Sequence, residues 1–262
     1  MTFKKINNHE FYYEESGSGE AVLFIHGLGS STLDWEYQLP YFSKNYRTIA
    51  IDLKGHGKTK SSEETYSIKG FANDVASFLK EETKPVTIIG ISMGGMVAFQ
   101  LAVDYPHLVK KMVIINSFVE VPLDSRANRN KLRLRKFVPK LLGMKATGKM
   151  IAKKVFPYEN QEALRNLIVS RWEKNNAKDY VKSVKAIAGW SIKEHLSAIV
   201  CPVLVVGAEF DYISSEVKIE YTKQMPNAKF VMIPKVHHAV SMEKPDLLNA
   251  VITDFFNKEN AK

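Results

Sequence analysis

Cysteine occurs once in 262 residues, at Cys201, so no disulfide forms within the chain and a reducing, cytoplasmic setting is expected. No apolar run is long enough to cross a bilayer, so no transmembrane segment is expected. The start, M-T-F-K-K-I-N-N-H-E, has none of the apolar core of a secretory leader. No G-x-G-x-x-G follows a strand, and the polar clusters lack metal-ligand spacing, so no organic cofactor and no metal is implied. Acidic residues are scarce in one stretch: from 124 to 154 a single acid, Asp124, stands among eleven bases. That stretch carries +10 against +9 for the whole chain, so the basicity is local. No nucleic-acid recognition motif accompanies it, and no nucleic-acid partner is expected.

What is present is organised around V-T-I-I-G-I-S-M-G-G-M-V-A-F-Q, residues 86–100. Val86 to Ile89 is an apolar, β-rich run that stops at Gly90. Met96, Val97, Phe99, Leu101 and Ala102 then recur at helical spacing up to Pro106. Strand, sharp turn and helix with Ser92 at the apex match the G-x-S-x-G nucleophile elbow. The glycines make room, because side chains at 90 and 94 would collide with the neighbouring strand and helix. The turn aims a helix N-terminus at the Ser92 hydroxyl, where backbone N–H groups stabilise developing negative charge.

Upstream, residues 3–13 and 20–25 read as two strands, the second continuously apolar as a buried strand should be. It runs into His26-Gly27-Leu28-Gly29-Ser30-Ser31. A glycine-flanked loop there brings a backbone N–H close to a substrate oxygen. The Leu28 N–H is therefore expected to act as an oxyanion donor beside that of Met93, with His26 structural. Thr32 to Phe42 reads as a helix and Arg47 to Asp52 as a strand. Asp52 is expected to tie the following L-K-G-H-G-K-T loop to backbone, and His56 to belong to that loop's architecture. Thr65 to Lys80 is helical, with Ile68, Phe71, Val75, Phe78 and Leu79 on one face. Val109 to Asn116 is a strand ending in an amide, which cannot carry negative charge, so an acid has to come from elsewhere.

From Val119 to Gly189 the alternation of strand and helix stops. Helices are expected at about 124–142, 145–156, 159–174 and 176–189. A helical block between sheet strands predicts a cap over their carboxyl ends, where ligands bind in such sheets. The division is core at 1–118 and 190–262, cap at 119–189. Arg129, Arg133, Lys136 and Lys140 line one face of the first cap helix; Leu134, Phe137, Val138, Leu141 and Leu142 fall mostly on the other. The plain reading of the basic face is a solvated surface. The sharper one is a docking surface for an acidic macromolecule or an anionic substrate group. Strands resume at Val203–Gly207 and Lys229–Ile233, with a helix at Ser215–Gln224 between them. An amphipathic helix carrying Leu247, Leu248, Val251, Ile252, Phe255 and Phe256 closes the chain.

Serine at an elbow, acid after a later strand and histidine after the last strand follow the chain order of a Ser-Asp-His triad. The members would be Ser92, Asp211 and His238, with Glu209 the rival acid and His237 the rival base. The motifs resemble those of the α/β-hydrolase superfamily over nearly all of the chain outside the cap. They are H-G-L-G-S at 26–30, D-L-K-G-H-G-K-T at 52–59, G-I-S-M-G-G at 90–95, P-V-L-V-V-G-A-E-F-D at 202–211 and H-A-V-S-M-E-K-P at 238–245. The resemblance implies an α/β fold with a mostly parallel central sheet flanked by helices and a helical cap inserted after the sixth core strand. In the family the catalytic histidine stands five residues before a glutamate followed by x-Pro, so Glu243 and Pro245 select His238. His237 falls where the family often has glycine. A serine at 92 speaks against relatives that attack through an aspartate, such as dehalogenases and epoxide hydrolases.

The function expected from this resemblance is a serine hydrolase that cleaves a small-molecule carboxylic ester through an acyl-enzyme. Carrier-protein esterases of the superfamily receive an acidic acyl carrier protein on basic cap residues, which makes such a protein a candidate partner. A C–C hydrolase or lyase using the same serine-histidine pair is another alternative. Such relatives usually carry an arginine near the nucleophile, and Met96 is apolar. The last alternative is a receptor or regulator that keeps the residues but only binds.

Overall fold

A computed structural model describes residues 2–6 and 9–260. In chain order the elements are β1 (Thr2–Ile6), β2 (His9–Ser16), β3 (Ala21–Ile25), α1 (Gln38–Phe42), β4 (Arg47–Ile51), α2 (Ile68–Phe78), β5 (Val86–Ile91), α3 (Met93–Asp104) and β6 (Val109–Ile115). Then come α4 (Arg126–Val155), α5 (Glu162–Trp172) and α6 (Ala177–Ile187), followed by β7 (Val203–Ala208), α7 (Ser215–Thr222), β8 (Ala228–Ile233), α8 (Val240–Glu243) and α9 (Pro245–Asn260). The eight strands form one sheet in the order β1-β2-β4-β3-β5-β6-β7-β8. β2 is antiparallel to both β1 and β4, and every pairing from β4 to β8 is parallel. The α/β architecture expected from the motifs is the one observed, and α4–α6 follow the sixth strand.

Alternation along each buried strand explains why the sheet is covered on both faces. In β3, Leu23 and Ile25 join Val75, Phe71 and Val97 on one side, while Val22 and Phe24 join Trp35, Leu248 and Phe256 on the other. In β5, Val86 and Ile88 divide from Ile89 and Ile91 in the same way. Helices α2 and α3 thus cover one face, and α1 and α9 the other.

Two expectations need correcting. The single strand expected over 3–13 is instead divided between β1 and β2, which pair antiparallel with Ile6 opposite His9 and Lys5 opposite Glu10; residues 7–8 lie outside the described residues. The expected helix at 32–42 is a short 3-10 turn, Thr32–Trp35, followed by α1. Pro40 has no N–H to donate four residues back, which removes a bond from any continuous helix.

The block between β6 and β7 is helical as expected. Its two ends are stitched together: Val121 N donates to Trp190 O (2.8 Å) and Ile192 N to Val119 O (2.8 Å). Within α4 the backbone breaks at Gly143, with φ 76° and ψ 175°, so α4 is two arms joined at a bend. The expected boundary between the helices at 124–142 and 145–156 falls at this bend. The apolar side of the first arm is mostly open. Val138 and Pro139 are buried, but Leu134, Phe137, Leu141 and Leu142 are 57–65% exposed. Arg129, Arg133 and Lys140 are exposed too, and Lys136 is partly so. Among the described residues, no helix is long and apolar enough to cross a membrane.

Candidate active site

The site is built where β5 turns into α3. Ser92 sits at that junction with φ 53° and ψ −117°, a conformation rare for a residue with a side chain. The surroundings hold it there. Ser92 N donates to Ile115 O (2.9 Å), and the Ser117 hydroxyl donates to Ser92 O (2.7 Å). The flanking glycines are compelled by space. A Cβ at Gly90 would lie 2.4 Å from Gly94 O, and one at Gly94 would lie 2.1 Å from Ile25 O.

The loop after β3 passes directly beside the serine: a Cβ at Gly27 would lie 3.5 Å from Ser92 Cβ. Asp34 shapes this loop by accepting from the Ser30 hydroxyl and from Gly27 N (3.4 Å). Among the described residues, neither the Leu28 N–H nor the Met93 N–H has a hydrogen-bond partner, although both residues are buried. Both residues flank the loop and turn that bring Ser92 to the end of β5.

Asp211 follows β7 and His238 follows β8. The imidazole Nδ1 is 2.7 Å from Asp211 Oδ1. The other carboxylate oxygen accepts from Lys218 Nζ (2.7 Å), and the side chains of this ion pair are wholly buried. Burial alone would raise the Asp211 pKa; the charges and hydrogen bonds of His238 and Lys218 outweigh it and hold the carboxyl below its usual range. Lys218 responds in the opposite sense, with burial pulling the ammonium down against the attraction of Asp211. Asn116, at φ 46°, donates from Nδ2 to His238 O (2.9 Å) and accepts from Ala208 N (2.9 Å). The amide that ends β6 therefore positions the histidine loop instead of carrying charge.

The rival residues are engaged elsewhere. Glu209 accepts from Lys235 N (2.7 Å). His237 donates its backbone N–H to Glu243 (2.6 Å), its Nδ1 lies 3.0 Å from the same carboxylate, and its ring packs between Tyr158 and Phe210. His26 is fully buried, with Nε2 accepting from Leu53 N (3.0 Å); burial, then His56, depresses its pKa to about 3. His56 is likewise pushed to about 4 by burial. Asp52 accepts from Thr32 N and Lys58 N, each at 2.7 Å, and burial raises it to about 6. Cys201 lies just before β7, its thiol pushed up to about 11 by burial. Among the described residues, no three His, Cys, Asp or Glu side chains converge so as to hold a metal ion.

One residue that the sequence reading passed over stands in the middle of the site. The Tyr212 ring stacks on the His238 imidazole, centroids 4.1 Å apart and 30° between planes, and its hydroxyl is 2.7 Å from Nε2. The Ser92 side chain interacts with that same hydroxyl. Among the described residues there is no direct Ser92–His238 hydrogen bond; the Nε2 contact is made by the Tyr212 hydroxyl. Tyr212 directly follows Asp211, so anchoring the carboxylate on Nδ1 lays the next ring across the imidazole. Nδ1–H donation to Asp211 leaves Nε2 an acceptor for the Tyr212 O–H, which is the tautomer a general base needs.

The helices between β6 and β7 reach this end of the sheet. Asn175 Nδ2 donates to Gly29 O (2.6 Å), Arg171 to Leu33 O (2.9 Å), and Gln161 Nε2 to Glu243 Oε1 (2.6 Å). A parallel sheet crossed by helices, an elbow serine and a histidine loop beyond the last strand define an α/β hydrolase. The family model described as "alpha/beta hydrolase fold" matches residues 20–245, and the chain belongs to that family. A relative from Acinetobacter baylyi, (E)-2-((N-methylformamido)methylene)succinate hydrolase, is 26% identical over 95% of this chain and 94% of its own. Among solved structures, the enol-lactonase from Burkholderia xenovorans superimposes with a TM-score of 0.90 at 19% identity, covering 98% of this chain and 100% of that one. A thermophilic esterase from Thermogutta terrifontis gives 0.88 at 23% identity, covering 98% and 99%. At these identities the two structures bear on the fold alone.

Proposed function

We propose that this hydrolase cleaves carboxylic esters through an acyl-enzyme formed on Ser92. The observation that supports it most is an imidazole held on Asp211 through Nδ1, which leaves Nε2 free to accept from a hydroxyl, as it does from that of Tyr212. Substrate entry moves the Tyr212 hydroxyl off Nε2, and Ser92 takes its place. His238 accepts the serine proton as Oγ attacks the carbonyl, and delivers it to the departing alcohol. Asp211 fixes the imidazole tautomer and stabilises the imidazolium, while Lys218 keeps Asp211 ionised. The Leu28 and Met93 N–H groups receive the oxyanion; one such donor is worth about 2.7–4 kcal/mol of barrier. Water then repeats the sequence in reverse to release the acid. Helices α4–α6 serve as the cap over the entrance.

The test is covalent labelling of Ser92 by a fluorophosphonate probe, together with the p-nitrophenol burst from a short-chain aryl ester. Both should vanish in Ser92→Ala, and His238→Ala should lose turnover while His237→Ala keeps it. A protein that labels but never turns over ester is a receptor or a C–C hydrolase; an active His238→Ala overturns the choice of base. The C–C hydrolase reading keeps one supporting observation: an arginine does approach the site, Arg135 on α4, although position 96 is apolar. The exposed Arg129, Arg133 and Lys140, with Lys136 beside them, keep an acidic carrier protein as a candidate donor of the acyl group. Charge reversal of Arg129, Arg133 and Lys136 should then slow a carrier-bound ester and spare the free one.

A further inference from the structure

Two cations near the site have no part in the hydrolytic scheme. Arg135 donates Nε–H to the Tyr180 hydroxyl (3.1 Å); among the described residues no carboxylate pairs with its guanidinium, and the rest of the fork has no partner. Lys154 places Nζ 4.1 Å from the centre of the Tyr212 ring and forms no ion pair among the described residues. The one acid that attracts it is Asp211, whose two oxygens are already taken by His238 and Lys218. Burial, then the charges of Arg135 and Lys131, hold the Lys154 ammonium below its ordinary pKa. Like charges gathered without a counter-ion repel, and an anion between them would reverse that.

Their position ties them to the nucleophile. Tyr180, which anchors Arg135, passes 3.0 Å from where a Gly29 Cβ would stand, next to the Leu28 donor. Tyr212, under Lys154, covers His238. Arg135 thus belongs to the oxyanion-loop side of the entrance and Lys154 to the histidine side, and Tyr212 feels the charge of Arg135 as well.

We propose that Arg135 and Lys154 form a carboxylate-binding subsite, and that the preferred substrate is an ester carrying a carboxylate remote from the scissile carbonyl. The proposal rests on the hydrolase reading for its substrate, but not for the anion site itself. The planar guanidinium fork matches the two oxygens of a carboxylate, and the lysine adds a point charge on the other side.

The experiment compares the mono-p-nitrophenyl ester of glutaric acid with its methyl-capped diester. In the wild type kcat/KM should favour the carboxylate-bearing ester by about 10- to 100-fold, the span of charge-assisted hydrogen bonds. The ratio should fall toward one in the double variant Arg135→Gln, Lys154→Gln, fall partway in Lys154→Gln alone, and survive largely in Arg135→Lys. Circular dichroism checks that each variant is folded. In parallel, glutarate binding to Ser92→Ala is followed by calorimetry with and without Arg135→Gln. Equal kcat/KM for both esters with no glutarate binding overturns the subsite. Arg135-dependent glutarate binding without turnover of either ester keeps the subsite and overturns the hydrolase reading.

Discussion

Tyr212→Phe separates two roles for the hydroxyl that sits on His238 Nε2. The substitution keeps the ring, and so keeps the stack on His238 at 4.1 Å, but removes the 2.7 Å contact with Nε2. That contact is a neutral hydrogen bond on a side chain 41% exposed, where water competes. Its net worth is therefore at the low end, about 0.5–1 kcal/mol. If the hydroxyl only guards the free enzyme, the bond is lost equally in the substrate complex and the transition state. Removing it then lowers KM about 2- to 5-fold and leaves kcat unchanged. Steady-state and burst kinetics on an aryl ester read both parameters. A hundredfold fall in kcat would refute the reasoning, because it would make the hydroxyl an obligatory carrier of the Ser92 proton.

Lys218→Met should cost about 3–5 kcal/mol in urea unfolding at pH 7, since it strands the buried Asp211 carboxylate with His238 alone. The depressed Asp211 pKa contributes stability above the unfolded value, near 3.9, that is lost as pH falls through the folded one; in the variant this loss, and the acid limb of kcat/KM, should move to higher pH. Gly94→Ala puts a methyl 2.1 Å from Ile25 O and should lower stability by about 3 kcal/mol or more in thermal or urea unfolding, with activity abolished. Asp52 runs the other way: its folded pKa of about 6 lies above the unfolded value, so the folded state binds the extra proton between about pH 4 and 6 and stability falls as pH rises through that window. Urea titrations across it should show that slope in the wild type and a flatter one in Asp52→Asn.

The parts of the site legible in the sequence were those imposed by backbone space and by chain order. Gly90, Gly94 and Ser92 had to be read together because only glycine clears the contacts at 2.1–2.4 Å. Asp52, His26 and His56 behaved as loop architecture, because a polar group buried at a strand end is satisfied by nearby backbone N–H and C=O groups. Asn116 announced that the acid lay elsewhere, and Asp211 does meet His238. Tyr212 and Lys218 were not legible, since their roles come from the angle at which β7 delivers the following loop. The alternation i, i+7 from Asp211 to Lys218 was a faint signal for the latter. The apolar side of α4 marks a limit of periodicity, which identifies a face and not what that face meets: Leu134 and Phe137 meet solvent.

A Cβ built at Gly143 would have nothing within 4 Å, so glycine is required there by the φ of 76° and not by a close neighbour. Were α4 a straight rod, Arg135 and Lys154 would stand about 28 Å apart along it. Folded back at one torsion, they come close enough to repel each other. The reach between the two cations is thus set at a single positive-φ residue whose carbonyl accepts from the Thr147 hydroxyl (2.9 Å) and whose missing side chain has open space around it, so any other residue there would strain the backbone and re-aim one arm against the other.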